Sequence, residues 1–160
     1  MHSIAEQIAR KAHEGQVEKW GGHPYVQHLE RVVALVDSPE AKEVAWLHDV
    51  LEDSDLTHRD LEKAGIAPAI ADAVLLLTRG SETYAEYIET LRAKRNLLAL
   101  VVKIADLQDH LRDETLDRLP VSMRRRYERA LHTLMRVPTK RSQRGQKMES
   151  LVPRFDKSFG

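Results

Sequence analysis

The sequence predicts an all-α protein, a single helical bundle, and three observations carry that reading. Apolar residues recur at helical spacing along most of the chain. Ser, Thr and Pro stand where those periodic segments begin, as helix starts require. No stretch shows the strict alternation of a half-buried strand, and no internal repeat is visible. With 160 residues the chain has the size of one ordinary domain with a substantial core.

Taken in order, Ser3 and Glu6 form a capping-box pattern before Ile4, Ala5, Ile8, Ala9 and Ala12, a first helix reaching about Gly15. A polar segment with Gly21-Gly22 follows. Val26, Leu29, Val32, Val33 and Val36 then make the stripe of a second helix, with His28 beside it, stopped near Asp37-Ser38-Pro39. A third helix starts just after Pro39 and is expected to run through Ala41, Val44, Ala45, Leu47 and His48 to Leu51. Thr57 caps a short helix ending near Gly65, and Pro68 opens one that closes before Gly80. Ser81 or Thr83 starts another, with Tyr84, Tyr87, Ile88 and Leu91 on one face. The stretch from Asn96 to Leu111 is the most apolar and is expected to be the central buried helix, from which Asp106, Asp109 and His110 emerge. After Pro120, Met123, Tyr127, Ala130, Leu131 and Leu134 mark a last amphipathic helix.

Beyond Pro138 the sequence is polar, basic and without period. The expected organisation is a body over residues 1–137 and a mobile basic tail over 138–160. Lys and Arg together equal Asp and Glu at 25 each, so net charge points to neither nucleic acid nor membrane. The distribution is uneven: seven basic and two acidic residues lie from Arg136 onward, which leaves an acidic body. Cysteine is absent, which excludes disulfides, thiolate zinc sites and thiol nucleophiles and fits a reducing cytoplasm. No apolar run approaches the ~18–20 residues that span a bilayer. Arg124-Arg125-Arg126 with Lys140, Arg141, Arg144 and Lys147 reads as solvated charge rather than a nucleic-acid surface, because aromatic residues are not interleaved with it. Self-association is left open.

The chemistry concentrates in Trp46-Leu47-His48-Asp49-Val50-Leu51-Glu52-Asp53, where a His-Asp pair and a Glu-Asp pair crowd an apolar helical run. Such groups are costly to bury without partners, and a metal ion satisfies several at once. His28, His48, Asp49 and Asp106 all lie on or beside apolar helical faces. Two imidazoles and two carboxylates suit manganese, iron(II), cobalt or zinc, with positions left open for water and substrate. Glu52, one turn from His48 and Asp49, stands where a general acid or base belongs, with Asp53 to orient the water or leaving group. Taken singly, each His also reads as a packed or hydrogen-bonded core residue, and Asp106 as a carboxylate paired with Lys103 or Arg112.

The order His28, His48-Asp49, Asp106 resembles the metal-binding signature of the HD-domain phosphohydrolases. Further segments narrow the resemblance to the hydrolase domain of RelA/SpoT-type alarmone enzymes. They are Ala12-His13-Glu14-Gly15-Gln16, Pro24-Tyr25-Val26-Gln27-His28, Leu47 to Asp53, Leu77-Thr78, and Val102-Lys103-Ile104-Ala105-Asp106. It covers about Ile4 to Leu134, and the chain ends where a synthetase domain would begin, as in a small stand-alone hydrolase. The resemblance implies a helical fold around one divalent metal, usually manganese, held by His28, His48, Asp49 and Asp106. It implies that Glu52 and Asp53 activate the water, and that the substrate is a nucleotide or phosphate ester, foremost the 3′-pyrophosphate of guanosine tetraphosphate (ppGpp). Lys19, Tyr25, Lys103 and His110 are the corresponding substrate-binding candidates. Two positions depart from the pattern: Leu107 and His110 stand where those enzymes typically carry Arg and Asn. Alternative readings are another nucleotide as substrate, or a low-activity regulatory module.

Overall fold

The computed structural model describes residues 1–136, so the expected tail lies outside the described residues. Those residues form helices joined by turns, with one isolated antiparallel bridge between Val17 and Pro24. The first helix, α1, is Ile4–Ala12, and Ser3 Oγ accepts from the Glu6 N–H at 3.1 Å. Between it and α2 (Tyr25–Ala34) the chain doubles back as a small hairpin. Glu18 N donates to His23 O and Tyr25 N to Gln16 O, both at 2.8 Å. Gly22 turns it at φ +70°, a conformation in which a Cβ is strained.

The third helix, α3, is Pro39–Leu47, started by Pro39 and capped by Ser38. It does not run on to Leu51 as its periodicity suggests. The chain breaks at His48 and Asp49 and resumes as the single turn α4 (Val50–Asp53). The reason is local. His48 Nδ1 donates to Ala45 O at 2.7 Å, the carbonyl to which the Asp49 N–H would donate in an unbroken helix. The break turns both side chains toward the same interior point.

Then come α5 (His58–Lys63) and α7 (Tyr84–Lys94), each opened by a reciprocal capping box, Thr57 with Asp60 and Thr83 with Glu86. Between them, α6 (Pro68–Leu77) starts at its proline. Arg95, at φ 53°, closes α7 and lets Asn96 cap α8 (Leu97–His110) at once. A short helix absent from the sequence expectation, α9 (Asp113–Leu116), precedes α10 (Val121–Met135).

As its composition predicts, α8 is central: it packs against α2, α3, α6, α7 and α10. Val102, Ala105 and Leu107 of α8 meet a core that includes Leu29 and Val32 of α2 and Val44, Ala45 and Leu47 of α3, all sealed from solvent. Fully burying each of these larger aliphatic side chains contributes about 1.5–3 kcal/mol. The same packing brings α2, the α3–α4 break and α8 together at one end, where His28, His48 and Asp106 are each at most 3% exposed.

Candidate metal centre and its cleft

His28, on α2, and His48, at the α3 break, face each other with Nε2 atoms 3.4 Å apart. Their tautomers follow from their other nitrogens. His48 Nδ1 faces the Ala45 carbonyl, which only accepts, and His28 Nδ1 faces Asp109 Oδ2 at 2.7 Å. In the neutral rings both Nδ1 atoms therefore carry the hydrogen, and two Nε2 lone pairs point into the same space. Asp106 Oδ1 stands 3.3 Å from His28 Nε2 and 3.6 Å from His48 Nε2, and Asp49 Oδ2 lies 3.0 Å from His48 Nε2. Asp106 Oδ1 is buried without a hydrogen-bond partner among the described residues.

Electron-rich atoms converging in a buried space need positive charge among them. The protein supplies part of it. Burial works to raise the Asp106 carboxyl, but the Lys103 ammonium and the imidazoles of His110 and His28 outweigh it and hold the group well below its ordinary range. Burial works to lower His28 and His48, yet the carboxylates of Asp106 and Asp109 raise the first, and those of Asp49 and Asp106 the second. Donors bound side by side at ~2.1 Å on one ion lie about 3 Å apart, which is the spacing seen here. His28, His48 and Asp49 offer donor atoms all within 4.8 Å of one another.

Around this centre the other predicted residues take distinct places. Tyr25 donates its hydroxyl to Asp49 Oδ2. Lys103 Nζ bonds Asp106 Oδ2 at 2.7 Å, the pairing its spacing allowed, while Arg112 instead bonds Asp109 Oδ2 at 3.1 Å. Asp53 Oδ2 accepts from Gln16 Nε2 at 3.0 Å, and the buried His13 Nδ1 lies 3.7 Å from it. Glu52 accepts from the Arg79 N–H at 2.5 Å. Desolvation in the cleft, with Asp49 and Asp53 adding to it, raises the Glu52 carboxyl despite that bond. Glu52 and Asp49 line the same cavity. His110 Nε2 is 3.0 Å from Asp106 Oδ1, and Lys19 lies with its ammonium 4.9 Å from the centre of the Trp20 ring.

Two cavities of about 230 Å³ flank the centre and share Met123 and Tyr127 as their common wall. One is chiefly apolar, with Lys19, Trp20, Tyr25, His110 and Leu119 in its lining. The other is bordered by His48, Asp49 and Glu52 and by the cations Arg79, Lys103 and Arg126. Those three cations surround the Tyr84 ring at 5.3–6.0 Å from its centre, and the buried Tyr84 hydroxyl has no partner among the described residues. Like charges so placed repel one another, and an anion between them relieves the repulsion.

Arg79, Arg126, Trp20 and Asp109 are the contributions that sequence reasoning missed. Arg126 was hidden in a basic run, and nothing in the spacing pairs Asp109 with a histidine 81 positions away. Leu107, one of the two departures from the alarmone pattern, is fully buried in the core and lines neither cavity. His110 is the departure that reaches the site.

No protein-family model matches the chain. Over 136 residues it is 31% identical to the guanosine-3′,5′-bis(diphosphate) 3′-pyrophosphohydrolase of Vibrio cholerae, a match covering 76% of this chain. Over 132 residues it is 34% identical to the protein of that name from Haemophilus influenzae, covering 74%. In both cases the match spans 19% of the relative's own length. A solved structure of a metazoan ortholog of SpoT, described as hydrolysing ppGpp, aligns with a TM-score of 0.68 and 26% identity, over 82% of this chain and 83% of that one. The chain is a SpoT hydrolase-like helical protein. In this hydrolase-like fold no helix among the described residues is long and apolar enough to cross a membrane.

Proposed function

We propose that the chain is a metal-dependent phosphohydrolase that removes the 3′-pyrophosphate of ppGpp. The observation that carries this reading is the convergence of the His28 and His48 lone pairs with Asp49 and Asp106, beside Glu52 and a cation-lined cavity. His28, His48, Asp49 and Asp106 would hold the ion, with manganese as the first candidate and iron, cobalt or zinc also compatible with the donors. When bound, such an ion polarises a phosphoryl oxygen and makes water a better nucleophile.

The remaining chemistry falls to the chain's own residues. Glu52, with a raised pKa and an open edge on the cleft, takes the proton of the attacking water at the phosphate. Asp53, braced by Gln16, orients that water. Lys103, Arg79 and Arg126 balance the charge of the pyrophosphate, and the Tyr84 hydroxyl has a free hydrogen to donate to it. Tyr25 fixes Asp49. The apolar cavity, with Trp20 and Tyr127 in its walls and Lys19 on its rim, accepts the nucleoside. The SpoT-like relatives, whose names state this substrate, support the same assignment.

The test is product analysis with purified protein and Mn²⁺, offering ppGpp beside GTP, deoxynucleotides and an aryl phosphate, with Asp49→Ala as control. Pyrophosphate released from ppGpp and lost in the control is the expected result. A second reading keeps the chemistry and changes the nucleotide, and His110 in the wall of the apolar cavity favours it. Turnover of another substrate in the same assay would select it. Metal bound without any turnover would select the regulatory module instead.

A further inference from the structure

His110 is the position where this chain leaves the alarmone pattern, and its surroundings are those of a ligand. It ends α8 one turn after Asp106, so the two side chains leave the same helical face. Its ring lies between two others: 4.9 Å from His28 at an interplanar angle of 23°, and 5.1 Å from Tyr127 at 17°. That stack fixes the ring plane and hence the direction of Nε2. Nε2 is 3.0 Å from Asp106 Oδ1, nearer than either His28 or His48. At that distance an aligned N–H would make a hydrogen bond, yet Oδ1 has none among the described residues. The nitrogen is directed past the oxygen, not along the line to it. His28, Asp106 and His110 offer donor atoms all within 4.8 Å of one another, as do His28, His48 and Asp49, and the two sets share His28.

We infer that His110 is a fifth protein ligand of the metal centre, giving this chain a donor set of three imidazoles and two carboxylates. The inference rests on the metal reading proposed above and extends it. An additional imidazole in place of water makes the site richer in nitrogen. Nitrogen donors favour the later first-row ions over manganese, so the added ligand shifts the preference toward iron(II), cobalt or zinc. It also withdraws His110 from recognition of the nucleoside, which leaves Trp20, Lys19 and Tyr127 to that task.

The experiment compares the wild-type chain with His110→Phe and His110→Asn. The phenylalanine keeps an aromatic ring between His28 and Tyr127 and removes the donor nitrogen; the asparagine restores the residue of the alarmone pattern. Each protein is stripped with chelator, checked for helicity by circular dichroism, and titrated with Mn²⁺ and Co²⁺ against a fluorescent chelator. Pulsed electron paramagnetic resonance on the Mn²⁺-loaded proteins then counts the coordinated imidazole nitrogens. The expected result is three such nitrogens in the wild type and two in both variants, with affinity reduced by about 10-fold or more. Two nitrogens in the wild type, or His110→Phe binding within about twofold of it, overturns the role of His110 alone. A wild-type chain that takes up neither ion overturns the metal centre itself and His110 with it.

Discussion

Asp109 Oδ2 accepts from His28 Nδ1 at 2.7 Å, and Asp109 is in turn held by Arg31 Nε at 2.7 Å and by Arg112 Nη1 at 3.1 Å. A carboxylate behind a ligating imidazole fixes its tautomer and strengthens its free nitrogen as a donor. Burial works to raise Asp109, while His28 and Arg31 outweigh it and keep the group ionised. Asp109→Asn should therefore weaken metal binding by about 10- to 100-fold while all first ligands remain. Chelator competition on the folded variant measures it, and an affinity equal to wild type would show that His28 needs no such support.

Glu52 lies outside the set of candidate ligands, so its loss should separate binding from turnover. Glu52→Gln is expected to retain the ion and to lower kcat on ppGpp by about 100-fold or more. Metal content and initial rates, taken on one preparation, decide this. An undiminished kcat would remove Glu52 from the reaction.

Arg79 and Arg126 are exposed and line the cation-lined cavity. Arg79→Ala and Arg126→Ala should each raise KM for ppGpp by about three- to tenfold, with kcat little changed. The increase should shrink as salt is added, because screening already weakens these contacts in the parent protein. KM values insensitive to both substitutions would place the phosphates elsewhere.

Metal uptake should release protons. His28 and His48 have raised pKa values, so in the metal-free protein their pairing with carboxylates is fully present below the ordinary histidine value and is lost as pH rises through the elevated ones. An ion must displace those protons, so its affinity should increase with pH across that window. Calorimetry in two buffers of different ionisation enthalpy reads the protons directly. Heats independent of buffer would contradict the release of protons on binding.

Leu107 is fully buried in the core. Leu107→Ala should lower stability by about 2–5 kcal/mol through the cavity it leaves, while kcat/KM of the folded protein holds. Denaturant unfolding and steady-state kinetics check the two halves. A changed kcat/KM at full folding would return this position to the site.

Much of this was legible in the sequence. The helix starts at Ser3, Pro39, Thr57, Pro68 and Thr83 are local events in which a side chain caps, or a proline pre-sets, the first turn, so they were readable residue by residue. The central position of α8 followed from its apolar composition. The break at His48 was not readable, because it depends on which carbonyl the imidazole captures, and spacing alone continues the helix. Asp109 looked like one more charge at a helix end, since its distant partners, Arg31 and His28, come from α2, 78 and 81 positions earlier. Arg126 sits in a run of three arginines, and only the packing of α10 against α7 and α8 turns one of them toward the cleft. Long-range pairings of this kind leave no periodic trace.

The hairpin between α1 and α2 bears on the thermodynamics of ligand capture. Lys19 and Trp20, at the edge of the apolar cavity, sit in a loop closed by the Val17–Pro24 bridge and anchored through Glu18 to Arg31. Ordering a free loop costs about 1–2 kcal/mol per residue, and here that ordering is already complete before any nucleoside arrives. Association can then proceed without a conformational search at the rim. Opening the clasp by replacing Arg31, which lines neither cavity, would make the entropy of binding more unfavourable.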